Sequence, residues 1–339
     1  MLVFTAQTRS RRTGGSETKM AVKIGFIGCG GMNRGHMKSL SQIKDAQMVG
    51  FCDIDPDRAR ACAAEYGGSP FTDHRLMLKQ ADLDAVYVAV PPHAHGTLEI
   101  DAVRAGKAIF VEKPVNISNE QARKVLKEID KSGVINSVGY HWRYMEATDQ
   151  AARILRDNTV GMVIGYWMGG MPGVAWWRRI EQSGGQFVEQ CTHIFDLARY
   201  LVGDVKTVSA FTALRALQDV PDLNVPDVGT ASMEFRSGAI GTISTSCILR
   251  QGFEVGLRLF AKDLMVHIGG NQLTVTKPGK SETITPGGNA NLTEDKIFVS
   301  AVKSHNPSKI RCTYEDGAKT LAVTLAAMES AGTGRTVSL

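Results

Sequence analysis

The sequence predicts a two-domain chain: a doubly wound α/β unit, then an α+β unit built on a mostly antiparallel sheet. Three observations carry this reading. At 339 residues the chain exceeds a single core, since roughly 100–200 residues make a domain. From Ala21 to Gly139, short apolar runs alternate with helical stretches, the rhythm of parallel strands with right-handed crossovers. Beyond Gly139, apolar runs are joined by tight turns instead.

Val22 to Ile27 reads as a buried parallel strand followed at once by glycines. Gly31 to Ile43 follows as a helix, and Gln47 to Cys52 as the second strand, closing on Asp53. Asp55-Pro56 caps a helix to about Tyr66, with proline at its first position. Ala85 to Val90 is a strand halted by Pro91-Pro92. A helix over His95 to Ala105 stops at Gly106, and strand Ala108 to Val111 comes next. Ser118 caps a charged helix to Lys131, and Val134 to Val138 is the last strand of the unit. In the second unit, Met145 to Arg156 reads as a helix and Val163 to Met168 as a strand. Ser237-Gly238, Lys262-Asp263 and Pro278-Gly279 then mark three hairpins. Helices over Thr293 to Val302 and Ala318 to Ser330 close the chain. The expected division is a tail over 1–20, a dinucleotide-binding domain over 21–140, and a substrate-binding and oligomerisation domain over 141–339.

Composition narrows the function. A chain that is 43% hydrophobic and 22% charged is ordinary for a globular enzyme. No apolar run approaches the roughly 18 residues of a membrane helix, so no membrane role is expected. The six cysteines have no metal-binding spacing, which favours a reduced, cytoplasmic chain with no metal. Of the net charge of +5, residues 1–20 supply +3, so nucleic acid is not the expected partner. That polar tail reads as disordered, with Met20 as the expected true start.

Gly28-Cys29-Gly30-Gly31-Met32-Asn33 ends the first strand and opens a helix, the context a dinucleotide fingerprint requires. Gly28 makes the turn, and Gly30 admits the pyrophosphate to the helix N-terminus. Asn33 stands where the pattern has its third glycine, so Gly31 or Gly35 is expected to relieve the crowding. Asp53 falls twenty residues later, at the end of the second strand, where a carboxylate binds ribose hydroxyls and repels a 2′-phosphate. NAD is therefore favoured over NADP. Met32, Ile54, Pro91, His95, Glu112 and Lys113 complete the expected cofactor contacts; for His95, as for His93, helix capping is the equal alternative.

Glu112-Lys113-Pro114 ends a strand of the same sheet, so Lys113 points into the crevice at its carboxyl edge. Further on, Gly184-Gly185 leads into Glu189 and His193, four residues apart and so on one helical face. Histidine suits proton transfer because its ordinary pKa of roughly 6.5 lies near working pH. Lys113, Glu189 and His193 are the expected catalytic group. Lys113 would hydrogen-bond the reacting oxygen, while Glu189 would orient the imidazole or bind a substrate hydroxyl. Tyr140, Arg143 and Trp176 are the further expected substrate contacts, because tryptophan faces suit sugar rings and arginines suit anions. Trp176 and Trp177 could equally pack the domain or subunit interface, Asp196 reads as a structural partner, and His36 is assigned no role.

These motifs, with His36 in the fingerprint helix and Val90-Pro91-Pro92-His93-Ala94-His95, give a chain that resembles the glucose–fructose oxidoreductase/inositol dehydrogenase (Gfo/Idh/MocA) family from Val22 to about Gly203. The resemblance implies a Rossmann domain plus a C-terminal α+β domain with a large open-faced sheet. It also implies NAD(P)-dependent oxidation or reduction of a sugar or polyol, and a homo-dimer or homo-tetramer built through the second sheet. A cis bond before Pro114 is implied too. Glu189 departs from the aspartate common at that position among inositol-dehydrogenase-like members. Two rival readings remain: an NAD-dependent glycosidase acting by transient oxidation, and a catalytically silent nucleotide-binding sensor.

Overall fold

The computed structural model describes residues 21–339, so both expectations for the tail lie outside the described residues. The first unit runs β1 (Val22–Ile27), α1 (Gly31–Leu40), β2 (Ala46–Cys52), α2 (Pro56–Tyr66), β3 (Ser69–Phe71), α3 (His74–Gln80), β4 (Ala85–Val88), α4 (Thr97–Arg104), β5 (Ala108–Val111), α5 (Asn119–Ser132) and β6 (Asn136–Val138). Its six strands are all parallel, in the order β3-β2-β1-β4-β5-β6. Capping fixes the helix starts as expected: Asp55 accepts from the Asp57 amide, and Ser118 from that of Gln121.

Alternation along each strand divides the core in two. Ile24, Phe26, Tyr87 and Phe110 face α1, whereas Val86, Val88, Ile109 and Val111 face α4 and α5. The first face holds an aromatic ladder, with Phe26 on Phe51 at 5.4 Å and Tyr87 on Phe110 at 4.6 Å between centroids.

The second unit continues α6 (Glu146–Leu155), β7 (Val160–Met168), α7 (Ile180–Ser183), α8 (Gln186–Glu189), α9 (Thr192–Val202), β8 (Val205–Ala213), β9 (Val228–Phe235), β10 (Ile240–Ser246), β11 (Glu254–Ala261), β12 (Leu264–Gly269), β13 (Gln272–Lys277), β14 (Lys280–Ile284), α10 (Ala290–Ser304), α11 (Tyr314–Thr333) and β15 (Val337–Ser338). The sheet order is β14-β13-β12-β11-β7-β10-β9-β8-β15, antiparallel except where β7 meets β10. Helices α6, α9 and α11 supply Ala151, Ile194, Leu197 and Val323 to the core on one face. At the closest approach, a Cβ on Gly165 of β7 would lie 2.5 Å from the Ile194 side chain on α9.

Three features depart from the sequence reading. β3 and α3 were not expected; β3 is a three-residue edge strand containing Pro70, too short to leave a period-two pattern. Residues 141–339 do not form one body around the second sheet, because α10 sends Phe298, Val299 and Val302 into the aromatic face of the first. Finally, Glu189 and His193 do not share a regular helix. The Cys191 amide bonds the Gln186 carbonyl five residues back at 2.8 Å, a wide turn that separates α8 from α9.

Candidate active site

The fingerprint turn forms because Gly28 sits at φ +88°, where a Cβ would lie 2.2 Å from the Ala89 carbonyl oxygen. A Cβ on Gly30 or Gly31 would meet nothing within 4 Å, so the space over the start of α1 is open. Gly30 brings no side-chain cap, and the first turn has no acidic residue. The amides there remain available to an anion. Asn33 resolves its own crowding: fully buried, its side-chain amide donates to the carbonyls of Ile27 (3.1 Å) and Gly28 (2.6 Å). Gly31 and Gly35 relieve nothing, since neither has a neighbour to clear. The Asp53 carboxylate accepts from the amides of Cys29 (2.7 Å) and Asp55 (2.9 Å), which fixes it beside the glycine turn. Next to it Ile54 is 96% exposed and Met32 on α1 51% exposed, two apolar side chains without cover. Pro91, after β4, is half-buried. This donor set fits a dinucleotide.

Two expected cofactor contacts are engaged elsewhere. The buried His95 ring pairs with Glu99 of α4, whose carboxylate takes the Gly96 amide and caps the helix, so His95 braces the cap residue. Glu112 is buried and accepts from the Lys113 amide (3.0 Å) while meeting His36 Nε2 at 2.9 Å. His36, left without a role by sequence reasoning, lies between two carboxylates, with Nδ1 at 2.9 Å from Asp295 on α10. Burial opposes charge on this imidazole, but Asp295 and Glu112 outweigh it and raise its pKa well above 6.5. Burial likewise opposes charge on Glu112, and His36 outweighs it to hold the carboxyl below its usual range. Burial leaves neighbouring Glu294 raised well above the carboxylate range. His36, Glu112 and Glu294 bring possible ligand atoms within 4.8 Å of one another, and the imidazolium already supplies a cation there. The bond from α1 to the residue before Lys113 spans 76 positions, which no local pattern reveals.

The Lys113–Pro114 bond is cis, as the resemblance implied. Lys113 Nζ donates to both the side-chain Oε1 and the backbone carbonyl of Glu189, each at 2.9 Å. The other Glu189 oxygen, Oε2, accepts from Trp177 Nε1 at 2.9 Å. The Glu189 carboxylate therefore braces the lysine and does not orient the imidazole, one of the two roles expected of it, because the wide turn from Gln186 to Cys191 takes it off the face of His193. His193 is 5% exposed, and its Nδ1 is buried without a hydrogen-bond partner among the described residues. Its ring stacks on Trp167 (5.9 Å) and Trp142 (6.3 Å) and meets His141 edge-on at 4.9 Å. Burial, then the charges of Lys113 and His141, push its pKa well below 6.5, so the imidazole is neutral at neutral pH. Burial also pushes His141 down to about 4, against the pull of Glu112.

Two of the other expected substrate contacts, Tyr140 and Arg143, are not free to meet one. Tyr140 is 1% exposed and hydrogen-bonds Thr192 Oγ1 at 2.8 Å, with its ring edge against His193. Trp176 packs in a small apolar cluster around Trp177, Val225 and Cys247, and it is Trp177 that reaches the site. Arg143 is 1% exposed and forks onto Asp196 at 2.7 and 2.8 Å, with a further bond to Asp316. It ties the residues after β6 to α9 and α11, so Asp196 is a structural partner, though to a guanidinium and to Thr320. Arg143→Met is expected to destabilise the fold by about 3–5 kcal/mol, since it leaves Asp196 buried without its counter-charge. Chemical denaturation measures this; unchanged stability with a raised KM would return Arg143 to the substrate.

A family model described as "Oxidoreductase family, NAD-binding Rossmann fold" matches residues 22–140, and the "GFO/IDH/MocA C-terminal domain" matches 149–267. The chain is 27% identical over 335 residues to inositol 2-dehydrogenase of Rhizobium meliloti, covering 94% of this chain and 100% of that protein. It is 29% identical to scyllo-inositol 2-dehydrogenase (NAD(+)) of Bacillus subtilis, over 73% of this chain and 74% of that one. The fold matches the WlbA dehydrogenase of Bordetella pertussis, solved with NADH and UDP-GlcNAcA, with a TM-score of 0.83 at 24% identity, covering 94% of this chain and 99% of that one.

Proposed function

Because the chain belongs to the GFO/IDH/MocA family of NAD-binding oxidoreductases, we propose that it is an NAD-dependent dehydrogenase of a sugar or polyol hydroxyl. The observation that carries this is the Lys113 ammonium, held by Glu189 beside a neutral His193 at the carboxyl edge of the parallel sheet. The turn at Gly28, Gly30 and Gly31 would hold the pyrophosphate and Asp53 the ribose hydroxyls, with the bare side chains of Met32 and Ile54 left to meet the rest of the dinucleotide. NAD bound there supplies the hydride acceptor for alcohol oxidation, or the donor for the reverse. A carboxylate at Asp53 repels a 2′-phosphate, which favours NAD over NADP.

The chain's own groups handle the proton and the developing charge. Lys113 has three N–H donors, two of them spent on Glu189, which leaves one for the reacting oxygen. Directed at that oxygen, it stabilises alkoxide character in a site with little water. His193, uncharged, takes the hydroxyl proton. Trp142 and Trp167, themselves 6.5 Å apart, both lie against its ring and fix its plane.

The face of the second sheet away from α9 carries Phe211, 76% exposed, and Ile240, 57% exposed, and paired residues set Phe211 in one row with Thr230, Ser244 and Tyr166. Such a face favours a homo-dimer or homo-tetramer. The six cysteines are all free thiols, in keeping with a reduced cytoplasm, and no helix of the described residues is long and apolar enough to cross a membrane. The test is NADH formation with NAD and NADP in parallel, over inositols, aldoses, sugar acids and amino sugars. Turnover is expected with NAD and at least one polyol or sugar. Tight NAD binding with no NADH from any of them would overturn the assignment.

A further inference from the structure

We infer that Trp177 is a positioning residue whose indole N–H locks the Glu189 carboxylate onto Lys113. The inference rests on the role given to Lys113 above. A glutamate side chain has three rotatable bonds, and one partner alone leaves its carboxylate several rotamers. Here each carboxylate oxygen has a separate donor, Lys113 Nζ on Oε1 and Trp177 Nε1 on Oε2, both at 2.9 Å. The two donors come from opposite sides of the crevice. Lys113 lies two residues past the end of β5 of the first sheet, and Trp177 lies in a 3₁₀ turn, Ala175–Arg178, of the second unit.

Trp177 is itself held on all sides. It is fully buried against Val225 and Cys247. The turn that carries it is stapled to the segment before Val225. The Asn224 amide bonds the Arg178 carbonyl at 3.0 Å, the Ile180 amide bonds Asn224 Oδ1 at 2.7 Å, and Arg179 pairs with Asp222 at 2.9 Å. A rigid indole with two torsions therefore presents one fixed donor to a flexible acid. Glu189, so held, is the lysine's bracket and not a free ligand for substrate hydroxyls. The longer side chain has a purpose on this account: it spans from the wide turn after α8 to both donors.

The experiment is a double-mutant cycle read on Lys113 itself. Trp177→Phe keeps a ring in the cavity and deletes the N–H; Glu189→Gln removes the charge that holds the lysine. Acylation of Lys113 by an amine-reactive anhydride, followed by peptide mass spectrometry across pH, reports how firmly the ammonium is held. Trp177→Phe is expected to speed labelling about tenfold in the native background, the scale of a hydrogen bond to a charged group, and to add nothing in the Glu189→Gln background. The same acceleration in both backgrounds, or none in the native one, would overturn the inference, because packing loss alone does not depend on Glu189. Should Trp177→Phe fail to fold, Glu189→Gln alone is followed through the tryptophan indole resonances by NMR. The Trp177 N–H signal is expected to move, and an unmoved signal would also overturn it. Neither readout needs turnover, so a wild-type protein that forms no NADH counts against the dehydrogenase assignment and leaves this test standing.

Discussion

Lys113→Ala is expected to lower kcat by about a hundred- to a thousandfold, the scale seen when one donor to a developing oxyanion is removed. The lysine is the cationic donor that the β5 edge and Glu189 jointly fix at the crevice. The loss should fall on kcat more than on KM, because the N–H matters most when charge has built on the oxygen. NAD affinity should largely survive, since Gly28, Gly30 and Asp53 are untouched. A variant that keeps most of its kcat and loses only substrate affinity would make Lys113 a binding residue.

His193→Ala is expected to cost about a hundred- to ten-thousandfold in kcat as a general base is lost. The pH dependence separates this from simple disruption. Burial, then Lys113 and His141, depress the pKa of His193, so the base form persists below pH 6.5 and the acid limb of kcat/KM should lie well under that value. The same shift has a stability consequence. Unfolded, the imidazole binds a proton near pH 6.5; folded, it resists protonation, so the unfolded state carries more protons as pH falls below about 6.5. Stability from this group is complete above that pH and is lost progressively below it. Denaturation midpoints should therefore fall less steeply between neutral and mildly acid pH in His193→Ala than in the wild type. An acid limb at or above 6.5 would show that His193 is not the proton acceptor.

What could be read from the sequence was local. The glycine turn, Asp53 at the end of β2, and the helix caps at Asp55 and Ser118 each depend on neighbours within a few residues. Lys113 was legible because a polar residue closing an apolar parallel strand has one place to go. What could not be read has a different cause. Arg143 was assigned to substrate because its counter-charges, Asp196 and Asp316, lie 53 and 173 residues away. Trp176 and Trp177 are adjacent and chemically identical, and the 3₁₀ turn alone decides which one reaches Glu189. His36 needed Asp295, 259 residues distant, before it had any partner to explain it. Helical spacing misdirected the reading of Glu189, since the single wide turn at Gln186–Cys191 overrides an i, i+4 argument.

The return of α10 to the first sheet bears on how the chain is made. Domains generally mature as units while synthesis proceeds, the N-terminal one first. Here the aromatic face of the parallel sheet stays only partly covered, by α1 and α2, until Phe298, Val299 and Val302 have left the ribosome. For more than half of its translation, the nascent protein carries Phe26, Tyr87 and Phe110 with part of their cover still unmade. Holding that face clear of other chains in the meantime is work for chaperones, and a polypeptide ended early would need them permanently.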